Sequence, residues 1–178
     1  SFGGLELPLV SQVQIVEALA YGDLDTIQGL PGAGEGASFI RLKEDHNAFS
    51  FYQTQCGTGI CPTVAFLYPN QHKLQIKKID NGYIVDGETS PLKNARKAEY
   101  LLIAGTATNG EAVLLWIDQE NNHSWKVLDG DYRLGLLSAG FSRIQLKEVS
   151  VSKNNILASG IDAETWMNEA LSRVRILE

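Results

Sequence analysis

The chain has 178 residues, of which 44% are hydrophobic and 20% are charged. These proportions are ordinary for a globular protein and argue against a disordered or fibrous chain. Fifteen Lys and Arg residues against 21 Asp and Glu residues give a formal charge of −6, so a nucleic-acid backbone would on average repel the protein. No apolar run approaches the ~20 residues of a membrane-spanning helix, and Ser1-Phe2-Gly3-Gly4 lacks the basic and apolar regions of a signal peptide. Cys56 and Cys61 are too few for a disulfide scaffold, so the expected location is cytoplasmic.

Residues 1–59 are predicted to form a helical segment. The spacing of one helix face is shared by four apolar residues, Leu9, Val13, Val16 and Ala20. Gly22-Asp23 would end that helix, because glycine terminates helices readily. Shorter helical runs are predicted over 24–30, 32–42 and 46–55.

Residues 60–156 are predicted to form an antiparallel β-domain, a small barrel or sandwich. Apolar or alternating runs typical of strands cover 63–68, 74–77, 100–106, 111–117 and 143–149. Asn81-Gly82 and Asn109-Gly110 are the residue pairs that favour tight hairpin turns, so neighbouring strands should reverse direction. The predicted fold class is therefore α+β.

Residues 157–178 are predicted to begin a second helical region. Four apolar residues share one helix face, Trp166, Ala170, Val174 and Leu177. This stripe must pack either on 9–20 or on another copy, because a broad exposed apolar face is a liability in a monomer. We therefore predict a homodimer or a higher oligomer.

Three motifs resemble chemical sites, but their spacing or surroundings favour structural roles. The glycines of 29–36 lack the spacing and the preceding strand of a phosphate-binding loop. The C-x4-C spacing of the two cysteines, with His46 and His72 nearby, is not a usual zinc pattern. His123 lies in a polar run typical of a solvated turn. No metal site is predicted.

Four segments of the chain carry motifs that follow one another in a familiar order. They are Gly3-Gly4-Leu5-Glu6-Leu7 with 16–20; 42–52 with Gly57-Thr58-Gly59; Val85-Asp86-Gly87-Glu88 with 94–102; and Leu134-Gly135-Leu136 with 144–151 and Asn155-Ile156-Leu157. This ordered set resembles the acyl-CoA dehydrogenase family, over nearly the whole chain.

The resemblance implies the end of an N-terminal helical domain, a middle β-domain and the start of a C-terminal helical region. Members of the family hold FAD, or use reduced flavin in the monooxygenase branch, in a cleft beside the middle domain. They typically oxidise an acyl thioester at Cα–Cβ, with a carboxylate base. The resemblance thus implies FAD as cofactor and an acyl thioester as ligand, with flavin contacts from Phe66, Leu67, Tyr68, Leu92 and Lys93.

The chain departs from the family pattern where the flavin would lie. Only Pro69 remains of the family's T-E-P strand end, no Gly-Ser-Asp loop follows it, and Pro91-Leu92-Lys93 replaces W-I-T. The family's usual base would come from helices beyond Glu178. We therefore predict that this chain binds FAD weakly and has no acyl-CoA dehydrogenase activity. Lys93 is interpreted either as a cation that stabilises reduced flavin or as a solvated loop residue.

Two function classes remain open. The first is a flavin-dependent oxidoreductase, seen here as a partial or degenerate chain. The alternative is a non-catalytic module that keeps the fold for binding or assembly, and a thioester or carrier-protein binding domain cannot be separated from it by sequence.

Overall fold

The computed structural model describes residues 7–30, 32, 34–42, 47–57, 61–69, 72–119, 125–128 and 137–177. The helices are α1 (Leu9–Gln28), α2 (Glu35–Ile40), α3 (Asn47–Gly57) and α4 (Ile161–Leu177). The strands are β1 (Val64–Leu67), β2 (His72–Ile79), β3 (Gly82–Thr89), β4 (Tyr100–Thr106), β5 (Ala112–Asp118), β6 (Trp125–Leu128), β7 (Arg143–Ser152) and β8 (Ile156–Ser159). A short 3-10 helix, Lys153–Asn155, joins β7 to β8.

The strands form two four-stranded sheets, with orders β1-β4-β5-β8 and β2-β3-β7-β6. Among the described strands only β1 and β4 pair in parallel, so the predicted antiparallel character is confirmed for the remaining pairs. The predicted barrel is wrong, because neither sheet closes on itself in the described part of the chain. Hairpin motifs predict which neighbouring strands run antiparallel. They do not indicate whether the two edge strands of a sheet pair with each other and close it into a barrel.

The sheet that contains β4 and β5 is buried on both faces. Leu101 and Ile103 belong to a core shared with the other sheet, whereas Leu102 and Leu114 belong to a core shared with the helices. Because successive strand residues point to opposite faces, both sets must be apolar. This explains why β4 and β5 are continuous apolar runs and not alternating ones.

The hairpin between β2 and β3 turns through two residues, since Ile79 pairs with Gly82. Gly82 has φ +145, and a Cβ atom there would overlap the carbonyl oxygen of Val151 on β7. Only glycine fits this turn without a shift of the backbone.

The predicted break at Gly22-Asp23 is confirmed as a kink inside α1. Asp23 leaves the helical region at φ −160 and ψ 101. Its Oδ1 accepts hydrogen bonds from the backbone N–H groups of Asp25 and Thr26 at 3.0 and 3.3 Å. Asp23 therefore acts as the cap of the second half of the helix.

The apolar stripe of α4 is covered within this chain. Trp166, Ala170 and Val174 are buried, and α4 packs on α2, β5, β8 and α1. The side chain of Leu177 lies outside the described residues. The described part of the stripe therefore packs on its own chain, but on α2, β5 and β8 as well as α1, so the predicted choice between residues 9–20 and another copy was incomplete. The stripe no longer gives a reason to expect an oligomer.

Candidate functional site

A cleft of about 310 Å³ lies where the edge strand β1 meets the loop after β3 and the facing ends of α1 and α2. The described residues that line it are Gln28, Gly32, Gly34, Glu35, Val64, Phe66, Tyr68, Pro91, Leu92, Lys93, Asn94 and Phe141. Four of the five flavin contacts implied by the family resemblance therefore line one cleft. The fifth, Leu67, does not line it.

Strand alternation separates the three candidate residues of β1 and its extension. Phe66 belongs to the helix-side core, and its ring contacts those of Phe39 and Tyr68 at centroid distances of 4.6 Å. Leu67 is fully buried in the core between the sheets. Phe66 and Tyr68 thus supply an aromatic wall, while the Leu67 side chain points away from it.

The outer edge of β1 provides backbone groups. The N–H of Val64 donates to the carbonyl of Gly32 at 3.1 Å, on the side away from β4. Because backbone groups alternate along a strand, we expect the N–H and C=O of Phe66 to point to the same outer edge. These are the groups through which β1 can bind a ligand.

Leu92 has both of its backbone groups engaged. It exchanges hydrogen bonds with Ser142, at 3.0 Å from the Leu92 N–H and 3.2 Å to the Leu92 carbonyl. A ligand in the cleft can therefore contact the Leu92 side chain, but its backbone is already used.

Lys93 is not a solvated loop residue. Its ammonium group forms a salt bridge with Glu35 at the start of α2. It also donates to the side-chain oxygen of Gln28 at 2.9 Å. These contacts hold Lys93 toward the helices, so of its two interpretations the solvated loop residue is wrong.

Asn94 is strained and incompletely bonded. It has φ +57, in the left-handed region that asparagine tolerates better than most residues. Its side-chain N–H donates to the carbonyl of Leu30 at 3.1 Å, while its buried Oδ1 has no hydrogen-bond partner in the described part. A buried acceptor without a donor is uncommon in folded proteins.

A second cavity of about 280 Å³ adjoins the first and lies between α1, α2 and α4. Its own lining is mostly aliphatic, with Val16, Ile27, Leu30, Ser38 and Val174. The two cavities share Gln28, Gly34, Glu35, Lys93 and Asn94. The Glu35–Lys93 salt bridge therefore lies at the boundary between an aromatic cleft and an aliphatic chamber.

Glu35, Gln28 and Asn94 line the cleft but were not predicted as site residues. Glu35 could have been noticed because it is the one charged residue in the Gly-rich run 29–36, whose other residues are apolar or small. Asn94 could have been noted from its place next to Lys93. No local sequence pattern indicated Gln28, because its hydrogen bond with Lys93 forms only where the end of α1 lies beside the β-domain.

The remaining sequence candidates lie elsewhere. Cys56 is buried and Cys61 is exposed; burial raises the pKa of the Cys56 thiol to about 11, and a hydrogen bond with Cys61 adds to the shift. The described residues contain no group of three or more His, Cys, Asp or Glu side chains that could hold a metal. His46 and His123 lie outside the described residues. No helix among those described is long and apolar enough to cross a membrane.

The cleft fits the ring system of a flavin better than its diphosphate. Phe66 and Tyr68 offer an aromatic wall, the outer edge of β1 offers backbone groups, and Asn94 carries an unsatisfied acceptor. Lys93 is the one cation among the described lining residues, and it is bound to Glu35. A diphosphate is bound by cations or clustered N–H groups, and this single paired cation gives it little charge compensation.

No family model and no curated protein matches the sequence. Among solved structures, the prolyl acyl carrier protein oxidase AnaB matches with a TM-score of 0.77 at 18% identity, over 99% of this chain and 50% of its own. A glutaryl-CoA dehydrogenase from Mycobacterium smegmatis in complex with FADH2 matches with a TM-score of 0.77 at 15% identity, over 99% of this chain and 48% of its own.

An acyl-CoA dehydrogenase from Geobacillus kaustophilus matches with a TM-score of 0.72 at 16% identity, over 99% of this chain and 50% of its own. This chain spans about half the length of these three structures. The likeness supports the family resemblance that the motifs indicate. The chain therefore has the fold of the acyl-CoA dehydrogenases, over about half of their length.

Proposed function

We propose that this chain is the flavin-binding half of an acyl-CoA dehydrogenase-type oxidoreductase that acts on an acyl thioester. The observation that carries the proposal is the convergence of Phe66, Tyr68, Leu92 and Lys93 on one cleft. These residues were assigned to the flavin from motif order alone. Their meeting in space, in a fold shared with an enzyme solved with FADH2, supports the assignment.

A flavin bound here would supply the two-electron redox chemistry that no side chain can provide. The chain's own residues would position it. Phe66 and Tyr68 would cover one part of the ring, and Leu92 would contact it through its side chain. Lys93 and Asn94 would present a donor and an acceptor to its polar edge.

We propose that binding is weak. The replacement of W-I-T by Pro91-Leu92-Lys93 removes an aromatic contact and a hydroxyl donor. Loss of a few hydrogen bonds to charged groups, at about 1.5–3 kcal/mol each, converts a nanomolar Kd to a micromolar or weaker one. We also propose that the chain binds an acyl thioester, forms an oligomer and is located in the cytoplasm.

Titration of the protein with FAD and with riboflavin, followed by flavin fluorescence, tests the proposal. We expect saturable binding at micromolar or higher concentrations, and Kd values for the two flavins within about tenfold, because the diphosphate gains little. Tyr68→Ser should weaken binding, whereas Tyr21→Ser should not, since Tyr21 is 96% exposed on α1. An absence of saturable binding by either flavin would contradict the proposed function.

A non-catalytic binding module is the second candidate. It is favoured by the engagement of Lys93 with Glu35 and of the Leu92 backbone with Ser142, which leaves fewer groups for a cofactor. This candidate predicts that an acyl thioester binds while neither flavin does. The same titrations, repeated with butyryl-coenzyme A by calorimetry, separate the two functions.

A further inference from the structure

The two thiols of the chain lie beside each other where α3 ends. Cys56 is buried in the last turn of α3, and Cys61 is exposed shortly before β1. The fold brings the Cys56 thiol into contact with the Cys61 thiol and with the Tyr52 hydroxyl. Neither cysteine lines one of the two cavities, so the pair is separate from the candidate site.

The Tyr52 side chain holds the two segments together independently of the thiols. Tyr52 precedes Cys56 by four residues in α3, so both side chains lie on one face of the helix. The Tyr52 hydroxyl donates a hydrogen bond of 3.2 Å to the carbonyl of Pro62, the residue after Cys61. The end of α3 is therefore fixed to the segment that leads into β1.

The backbone of Cys61 is restricted on its C-terminal side. A residue before proline is confined to extended conformations, and two residues after Pro62 the N–H of Val64 donates to the carbonyl of Gly32 at 3.1 Å. Cys61 thus belongs to a segment with two tertiary anchors. An exposed thiol held beside a buried one is the arrangement of an attacking cysteine and its resolving cysteine.

We propose that Cys56 and Cys61 form a reversible disulfide when the folded protein meets a low-molecular-weight disulfide such as oxidised glutathione. The structure shows the reduced form. The disulfide would join the end of α3 to the segment that enters β1, the strand whose Val64 and Phe66 line the cleft. This modification site does not depend on flavin binding or on the proposed function.

The reaction consists of two thiol–disulfide exchanges. Cys61 loses its proton to solvent, and its thiolate attacks one sulfur of oxidised glutathione, which breaks the S–S bond and releases one glutathione thiolate. The Cys56 thiol then loses its proton, and its sulfur attacks the Cys61 sulfur and releases the second glutathione thiolate. The protein loses two hydrogen atoms, and oxidised glutathione is reduced to two molecules of glutathione. Burial shields Cys56 from the reagent but not from Cys61.

Equilibration of the protein with oxidised and reduced glutathione at pH 8, followed by acid quenching and mass spectrometry, measures the reaction. Both cysteines lie in one tryptic peptide, 44–73, whose mass falls by two hydrogen atoms when the disulfide forms. The equilibrium ratio gives the effective concentration of one thiol at the other. In urea we expect the millimolar range of a short flexible linker. The folded protein should exceed that value by about tenfold or more, because its thiols are already adjacent.

Single-cysteine variants test the order of the two steps. Cys56→Ala should accumulate the mixed disulfide of Cys61 with glutathione, because no resolving thiol remains. Alanine is the suitable replacement, since a buried cysteine packs as a small hydrophobe. Cys61→Ser should stay largely unmodified while folded, because Cys56 is shielded, and should react in urea.

Tyr52→Phe tests the anchor without altering either thiol. Loss of its hydrogen bond to Pro62 should lower the effective concentration in the folded protein by about threefold or more, with no change in urea. Tyr21→Phe is the matched control, since Tyr21 is 96% exposed on α1, and it should leave the value unchanged.

Three results would overturn the proposal. They are an effective concentration in the folded protein no higher than in urea, a mixed disulfide on Cys61 that persists in the folded wild type, and a disulfide that joins two chains, seen by non-reducing electrophoresis.

Discussion

The indole Nε1 of Trp166 on α4 donates a 2.8 Å hydrogen bond to the backbone carbonyl of Phe39 in α2. Both residues are buried, and the bond joins segments far apart in the chain. Phe39 in turn contacts Phe66 of the cleft wall. The last helix is therefore fixed to the helix that carries Glu35, and through Phe39 to the strand that lines the cleft.

Replacement of Trp166 by Phe should lower the free energy of unfolding by about 0.5–1.5 kcal/mol, because the Phe39 carbonyl would lose its indole donor and keep only the backbone N–H of Leu42 at 3.3 Å. Trp125→Phe is the control, since Trp125 is equally buried and its Nε1 has no partner in the described part. Urea denaturation measures both. Equal losses in the two variants would mean that the hydrogen bond contributes nothing beyond side-chain volume.

Gly22 within α1 and Gly29 just after its end should respond oppositely to alanine. A Cβ atom on Gly29 would overlap the carbonyl oxygen of Ser138, whereas one on Gly22 meets nothing within 4 Å. We expect Gly29→Ala to destabilise the protein by about 1–3 kcal/mol, and Gly22→Ala to be neutral or stabilising by up to about 1 kcal/mol. Thermal melts of both variants test this, and a stable Gly29→Ala protein would show that α1 does not pack against 138–139.

The two cysteines should differ in reactivity. The pKa of the buried Cys56 thiol is raised to about 11, and thiolate is the reactive form. Iodoacetamide at pH 8 should therefore modify Cys61 much faster than Cys56, and mass spectrometry of the peptides measures the ratio. In urea both thiols should react at similar rates. Comparable modification rates of Cys56 and Cys61 in the folded protein would contradict the burial of Cys56.

The Lys78–Glu111 salt bridge, 2.7 Å long, should make stability depend on pH. The hydrogen bond from Lys78, with a second from Asn109, holds the pKa of Glu111 below its usual 4.5. A carboxylate with a lowered folded-state pKa stabilises the protein above its unfolded value, and that contribution is lost as the pH falls through the folded value. The same hydrogen bond raises the pKa of Lys78 above 10.5, so the lysine contribution is present below that pH and is lost above the raised value.

We therefore expect wild type and Glu111→Gln to differ in urea stability at pH 7 and to converge toward pH 3. A difference that stays constant across this range would show that the variant acts through packing and not through charge.

Most strands follow from the sequence because their residues obey local rules, but β6 was not predicted, and β8 lies largely where a helical region was expected to begin. The apolar runs of β4 and β5 and the two hairpin turns follow from burial on both faces and from turn chemistry. Closure of the sheets could not be predicted, because it depends on how β1, β8, β2 and β6 end at the edges. Of these edge strands, β1 packs against α2 and β8 against α4.

The candidate site was predicted only in part, because some of its contacts join segments that are distant in the sequence. Motif order predicts Phe66, Tyr68 and Lys93 at one site, and all three line one cleft. Leu67, predicted with them, belongs to the other core because side chains alternate along β1. Glu35 was missed because its relation to Lys93 exists only when α2 packs beside the loop after β3. Contacts of this kind have no local pattern in a sequence.

The central claim is that a flavin binds in the cleft beside β1. The most direct measurement is an amide ¹H–¹⁵N NMR titration with FAD, which reports where on the chain the ligand binds. We expect shifts that saturate at micromolar or higher FAD and that concentrate at Phe66, Tyr68, Lys93 and Asn94, while the β2–β3 hairpin stays unchanged. Shifts confined to other surfaces, or none at saturating FAD, would contradict the claim.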